Sequence, residues 1–132
     1  MINIPSSIIH EAIENAAING KTLLMHLIDL KMEKEALNLL KNKQINYNKI
    51  DSFGYSALLR AILANMDELS SELLKRKDID YNLKDNFGHT ILMYSISENM
   101  KKTTLDLLKR KDIDYNSVNM DGYTALILSC EK

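Results

Sequence analysis

The sequence predicts an all-α fold, a solenoid of stacked helix pairs with connecting turns. Three observations predict it: a 34-residue period, helical apolar spacing inside each period, and a scarcity of Gly (4) and Pro (1). Residues 51–84 read DSFGYSALLRAILANMDELSSELLKRKDIDYNLK and residues 85–118 read DNFGHTILMYSISENMKKTTLDLLKRKDIDYNSV. The string LLKRKDIDYN stands at 73–82 and returns unchanged at 107–116. All four glycines, Gly20, Gly54, Gly88 and Gly122, keep the same interval, each followed two residues later by Thr22, Ser56, Thr90 or Thr124. Four residues after each glycine comes Leu24, Leu58, Leu92 or Leu126. Two short helices cannot bury an apolar face alone, so units repeated at this interval must stack on one another.

Within one unit the elements follow in order. Gly54 supplies the positive φ of a tight turn, and Ser56 offers an N-cap oxygen to the unpaired amides of a helix start. Leu58, Leu59, Ala61 and Ile62 mark a short amphipathic helix, which Asn65 and Asp67 interrupt. A second helical pattern, Leu69, Leu73 and Leu74, ends in Lys75, Arg76 and Lys77, where positive charge suits the C-terminal end of the helix dipole. An extended stretch at 79–82 leads to the next turn. Ahead of the first unit, Ile8, Ile9, Ala12, Ile13 and Ala16 share one face of residues 7–18 and predict an N-terminal capping helix. One domain over 1–132 is therefore expected: a cap at 1–16, units at 17–50, 51–84 and 85–118, and a partial fourth unit at 119–132. That last piece is either a minimal C-terminal cap or the point where a longer chain was cut.

With 45% hydrophobic and 27% charged residues, the chain can bury a core without disulfides or a metal. A net charge of -1 gives no electrostatic ground for nucleic acid or an anionic membrane as partner. The one cysteine, Cys130, excludes an internal disulfide. No basic segment opens the N-terminus and no apolar run reaches the roughly 18 residues of a membrane span, so a cytoplasmic protein is expected, with non-classical secretion left open.

The pattern D-x-x-G-x-T-x-L, followed by LL and an I-D-x-N ending, resembles the ankyrin repeat, and four successive units over about residues 17–132 hold it in one register. The departures are specific. The proline after the Thr/Ser cap becomes Leu23, Ala57, Ile91 or Ala125, and the family histidine becomes Met25, Leu59, Met93 or Ile127. The glycine between the helices becomes Lys31, Asn65 or Asn99, and the one before the connector becomes Gln44, Asp78 or Asp112. The resemblance implies a stack of helix pairs whose turn tips and first helices line a binding groove.

No catalytic, cofactor or metal site emerges from the residues. His10, His26 and His89 fall in different units, His10-Glu11 is not followed by a second histidine, and no phosphate-binding G-x-x-x-x-G-K-[ST] occurs. Lys75-Arg76-Lys77 and Lys109-Arg110-Lys111 are read as solvated helix ends, because Asp78, Asp80, Asp112 and Asp114 cancel their field. Tyr47, Tyr81 and Tyr115 are read as packing between units, and Met25 and Met93 as core filler. Positions that vary from unit to unit carry the functional expectation, since a structural position should repeat and a partner-facing one need not. On the tips and first helices these include Phe53, Tyr55, Arg60, Phe87, His89, Tyr94, Asp121 and Tyr123, rich in the side chains that dominate binding hot spots. The expected function is therefore that of a non-enzymatic monomer binding another protein, as a regulator or inhibitor. The alternatives are a secreted effector aimed at a host protein and, less favoured, a nucleic-acid-associated protein.

Overall fold

The structure, a computed structural model, describes residues 4–9, 20–41 and 45–130. Within them the fold is all-α, built of short helices packed in pairs, with no strand and one isolated bridge between Lys84 and Thr90. Residues 6–9 are helical and Ile8 packs on the core, while the rest of the predicted capping helix, with His10 and Gln44, lies outside the described residues. The remaining helices are α1 (Leu23–Asp29), α2 (Glu33–Leu39), α3 (Ala57–Leu63), α4 (Asp67–Leu74), α5 (Ile91–Ser97), α6 (Lys101–Leu108) and α7 (Ala125–Cys130).

Each first helix begins where the sequence predicts. Thr22, Ser56, Thr90 and Thr124 accept from the backbone N–H of Met25, Leu59, Met93 and Ile127 at 3.2 to 3.3 Å, satisfying one orphan amide apiece. The first three, α1, α3 and α5, end on a left-handed residue: Lys31, Asn65 and Asn99 have φ of 63°, 57° and 57°, at the positions where the ankyrin pattern has glycine. The following methionine then folds back. Met32, Met66 and Met100 donate to the carbonyls of Leu27, Ala61 and Ser95 at 2.9 Å, while Asn65 donates to Ile62 at 3.0 Å, a six-to-one and five-to-two closure of the helix end. Asp67 does not interrupt the first helix as expected. It opens α4, where its charge and that of Glu68 face the positive end of the dipole. Glu33 of α2 reaches across to accept from the Leu69 N–H in the first turn of α4 at 3.1 Å.

The packing follows the period. α1 lies on α2, α3 on α4 and α5 on α6; in addition α1, α3, α5 and α7 pack one after another, as do α2, α4 and α6. The core runs through all of them, with Met25, Leu27, Ile28, Leu58, Ile62, Leu69, Leu73, Leu92, Met93 and Leu107 essentially out of water. Each such side chain contributes about 1.5–3 kcal/mol of apolar burial.

Polar bonds tie neighbouring pairs together, and here one expectation changes. Lys75, Lys77, Lys109 and Lys111 are exposed as solvated helix ends should be. Arg76 and Arg110 are not: their Nη2 atoms donate to the carbonyls of Leu40 (3.2 Å) and Leu74 (2.5 Å) at the end of the preceding second helix. The last carbonyls of a helix have no partner of their own, which makes them the natural target for a guanidinium one layer away. Arg110 also covers the Tyr81 ring at 4.9 Å. Tyr47 and Tyr81 do bridge between pairs, donating to Asp78 and Asp112, and these acceptors raise both phenols above their ordinary value. Asn48 and Asn82 repeat the link, donating to the carbonyls of Asp78 (2.6 Å) and Asp112 (2.8 Å) and accepting from the N–H of Asp80 and Asp114 at 2.8 Å.

Candidate partner-binding face

Three buried polar residues hold the turn tips in one geometry. Asp51 Oδ1 accepts from the N–H of Phe53 (2.9 Å) and Tyr55 (3.0 Å). Asp85 Oδ1 does the same for Phe87 and His89, both at 2.9 Å, and Asn119 Oδ1 for Asp121 and Tyr123, both at 3.0 Å. A short side chain that accepts from its own following amides is the driving element of such turns. The tips are also strung together: Asn86 N–H donates to the Phe53 carbonyl at 3.3 Å and Met120 N–H to the Phe87 carbonyl at 3.0 Å. Gly54 suits this turn, because at φ 82° a Cβ would stand 2.9 Å from Asn86 Oδ1 and 3.1 Å from the Asp85 Cα.

On this frame the candidate residues take unequal positions. Phe53 and Phe87 keep about half of their surface in solvent, Tyr123 is exposed at 38%, and Asp121 is exposed beside it. Tyr55, His89 and Tyr94 are half-buried between them. Ring contacts link Phe53 to Tyr55 (centroids 6.1 Å), Phe87 to His89 (6.5 Å) and His89 to Tyr94 (5.1 Å). Arg60 lies 5.4 Å over the Tyr55 ring. An interaction between Tyr55 and Tyr94 joins the two groups, so the structure gathers six of the eight candidates into one aromatic patch that includes Arg60, with Asp121 and Tyr123 following on the next turn.

Arg60 and Tyr94 have internal partners that sequence reasoning missed. The Arg60 guanidinium grips Asp29 through Nη1, at 3.0 and 2.9 Å to its two oxygens, and donates from Nη2 to Asp51 Oδ2. Lys21 joins the same Asp29 carboxylate. Tyr94 donates its hydroxyl to Asp85 Oδ2; burial first, and then that carboxylate, raise the phenol far above its usual range. His89 Nδ1 stands 3.6 Å from Asp85 Oδ1 without a hydrogen bond. The signal for Asp51, Asp85 and Asn119 was present in the sequence, as an Asp or Asn three residues before Gly54, Gly88 and Gly122; nothing local pointed to Asp29.

No protein-family model and no curated protein matches this chain. The geometry therefore stands by itself. Among the described residues no group of three His, Cys, Asp or Glu side chains is placed to hold a metal, and no helix is long and apolar enough to cross a membrane. Cys130 is exposed in α7. The arrangement at the tips offers aromatic surface, one neutralised guanidinium and an exposed carboxylate, which can bury apolar side chains and orient a cation.

Proposed function

We propose that the chain is a non-enzymatic binding module, an ankyrin-type solenoid whose tips and first helices grip a segment of another protein. One observation carries this reading: three successive turns are held by the same backbone hydrogen bonds, while they present half-exposed Phe53 and Phe87, then Asp121, at one register and Tyr55, His89 and Tyr123 at another. A frame held that rigidly loses little entropy on binding, and an aromatic ring half out of water gains most from being covered. Tyr55, Arg60, His89 and Tyr94 are the less exposed residues beside the two rings, Arg60 engaged with Asp29 and Asp51 and Tyr94 with Asp85. Tyr123 and Asp121 extend the surface on the next turn, where Asp121 suits a basic side chain of the partner. An interface near the standard total of about 1,600 Å² would be enough for a regulator or inhibitor that occludes its target.

The nucleic-acid alternative loses support from the two clamps that engage Arg76 and Arg110 within the molecule. The proposal is tested by cross-linking and capture with the wild-type chain and with Phe53→Ala/Phe87→Ala. The pair of substitutions should weaken capture of a protein partner by at least about tenfold and leave helical content unchanged, since both rings are already half solvated. Equal capture by Lys77→Ala and by wild type completes the expected pattern. Undiminished binding by the double-phenylalanine variant would remove this face from consideration.

A further inference from the structure

Where the residue that holds a turn is a carboxylate, a donor from the following helix meets it. Asp51 Oδ2 accepts from the Arg60 guanidinium, and Asp85 Oδ2 from the Tyr94 hydroxyl. Asn119 holds the next turn with an amide, and Leu128 occupies the register of Arg60 and Tyr94. The charge and its donor disappear together. Tyr94, however, brings a hydroxyl and no charge. The Asp85 side chain is 0% exposed, and among the described residues no lysine or arginine is paired with it. A carboxylate buried without a cation is costly, so any further dipole turned toward it is stabilising.

His89 is the residue turned toward it. Its Nδ1 lies 3.6 Å from Asp85 Oδ1, sealed from water and without a hydrogen-bond partner. A neutral imidazole carries one N–H and one bare nitrogen, and the surroundings decide which is which. A bare Nδ1 would set its lone pair against a buried carboxylate oxygen, acceptor against acceptor. A proton there turns a positive hydrogen toward the charge instead. The amides of Phe87 and His89 already occupy Oδ1, which keeps the contact beyond hydrogen-bond length. The side chain is still 28% exposed with Nδ1 sealed, so Nε2 is the ring nitrogen left to solvent. Turns lie on either side of this one, with Asn86 bonded to the Phe53 carbonyl and Met120 to that of Phe87. Nε2 therefore opens within the row of tips.

We infer that His89 holds its proton on Nδ1 and presents a bare Nε2 that accepts a hydrogen bond from a lysine or arginine side chain of the partner, provided that this face is the one that binds, as proposed above. Charge selects the basic side chain over a neutral donor. A carboxylate behind the opposite ring nitrogen makes Nε2 the stronger acceptor, and Asp85 has no other cation to neutralise it. Phe87, half exposed and 6.5 Å from the imidazole, adds an aromatic ring beside the same cation.

Long-range proton–nitrogen NMR of the isotope-labelled full chain reads the tautomer at about pH 8, above the ordinary histidine value of about 6.5. The His89 signals are those lost in His89→Phe. Nδ1 should carry the proton and Nε2 should be bare; a proton on Nε2, alone or together with one on Nδ1, would overturn the inference. A phage-displayed library of random peptides is then selected on the wild-type chain. Binders should share a lysine or arginine, and His89→Phe should weaken them about tenfold or more. Exchanging that basic residue for alanine should abolish the difference between the two proteins. His89→Gln, which keeps an acceptor near the Nε2 position, should retain part of the affinity, and circular dichroism should change in neither variant. Peptides that lose binding to Phe53→Ala/Phe87→Ala but not to His89→Phe would sink the inference and leave the binding face standing. Peptides indifferent to both would remove the face, and the inference with it.

Discussion

Asp51 and Asp85 stand at the same point of successive turns, each buried and each accepting the same two backbone amides, yet Arg60 meets the first with a charge and Tyr94 meets the second with a neutral hydroxyl. Arg60 and Tyr94 themselves occupy equivalent positions on α3 and α5. One frame therefore carries two electrostatic solutions, and they respond differently to mutation and to pH.

Replacing Arg60 should be costly. Arg60→Ala leaves the Asp51 Oδ2 atom without its donor, at a site where the side chain is 1% exposed, and releases the two-pronged grip on Asp29 that ties α3 to α1. A loss of about 2–3 kcal/mol is expected in urea unfolding, less than for a wholly unpaired buried charge because two backbone amides still serve Asp51. Arg60→Lys should recover part of it, the charge without the fork. A loss under about 0.5 kcal/mol would mean that water serves the carboxylate as well as the guanidinium does.

Tyr94 sets an alkaline limit. Its folded pKa lies above the ordinary 10.0, so the folded chain holds a proton that the unfolded chain releases. The corresponding stability is fully present below about pH 10 and falls as pH rises beyond it. Tyr47 and Tyr81 shift in the same direction, so the useful quantity is the difference between wild type and Tyr94→Phe. The variant should lose stability less steeply above pH 10. Identical alkaline slopes for the two proteins would contradict the Tyr94–Asp85 bond.

Gly54 and Gly122 share a φ of 82° but not a neighbourhood. Gly122→Ala meets nothing within 4 Å and should cost only the left-handed strain, about 1 kcal/mol. Gly54→Ala adds a collision with backbone and with Asn86, and should cost roughly 2–3 kcal/mol. Thermal unfolding of the two variants side by side measures the difference. Equal destabilisation would show that the Phe53–Asn86 link between tips is loose.

Much of the fold was legible because its signals are local. A Thr or Ser two residues after a positive-φ glycine caps a helix through its own amides, and Lys31, Asn65 and Asn99 take the left-handed turn on which a short helix closes. Part of the candidate face was legible because its register varies from unit to unit, as at Tyr55 and His89 or Phe87 and Asp121, although Phe53 and Phe87 keep the period and the variation of Arg60 and Tyr94 also serves internal partners. Asp67 was misread because a residue that disfavours a helix interior is also one that favours its first turn, and composition does not say which.

The amino-acid order by itself determined where each first helix begins, where the first three of them close and which registers are apolar, since those choices are settled within a few residues by hydrogen bonds and apolar spacing. Tertiary structure decided the partners. Arg60 with Asp29, Arg110 with the Leu74 carbonyl, and the exposure of Leu126 beside the burial of Leu92 all depend on which unit lies against which. The same residue type at the same register meets a neighbour in one layer and water in the next, and only the packing of the layers distinguishes the two.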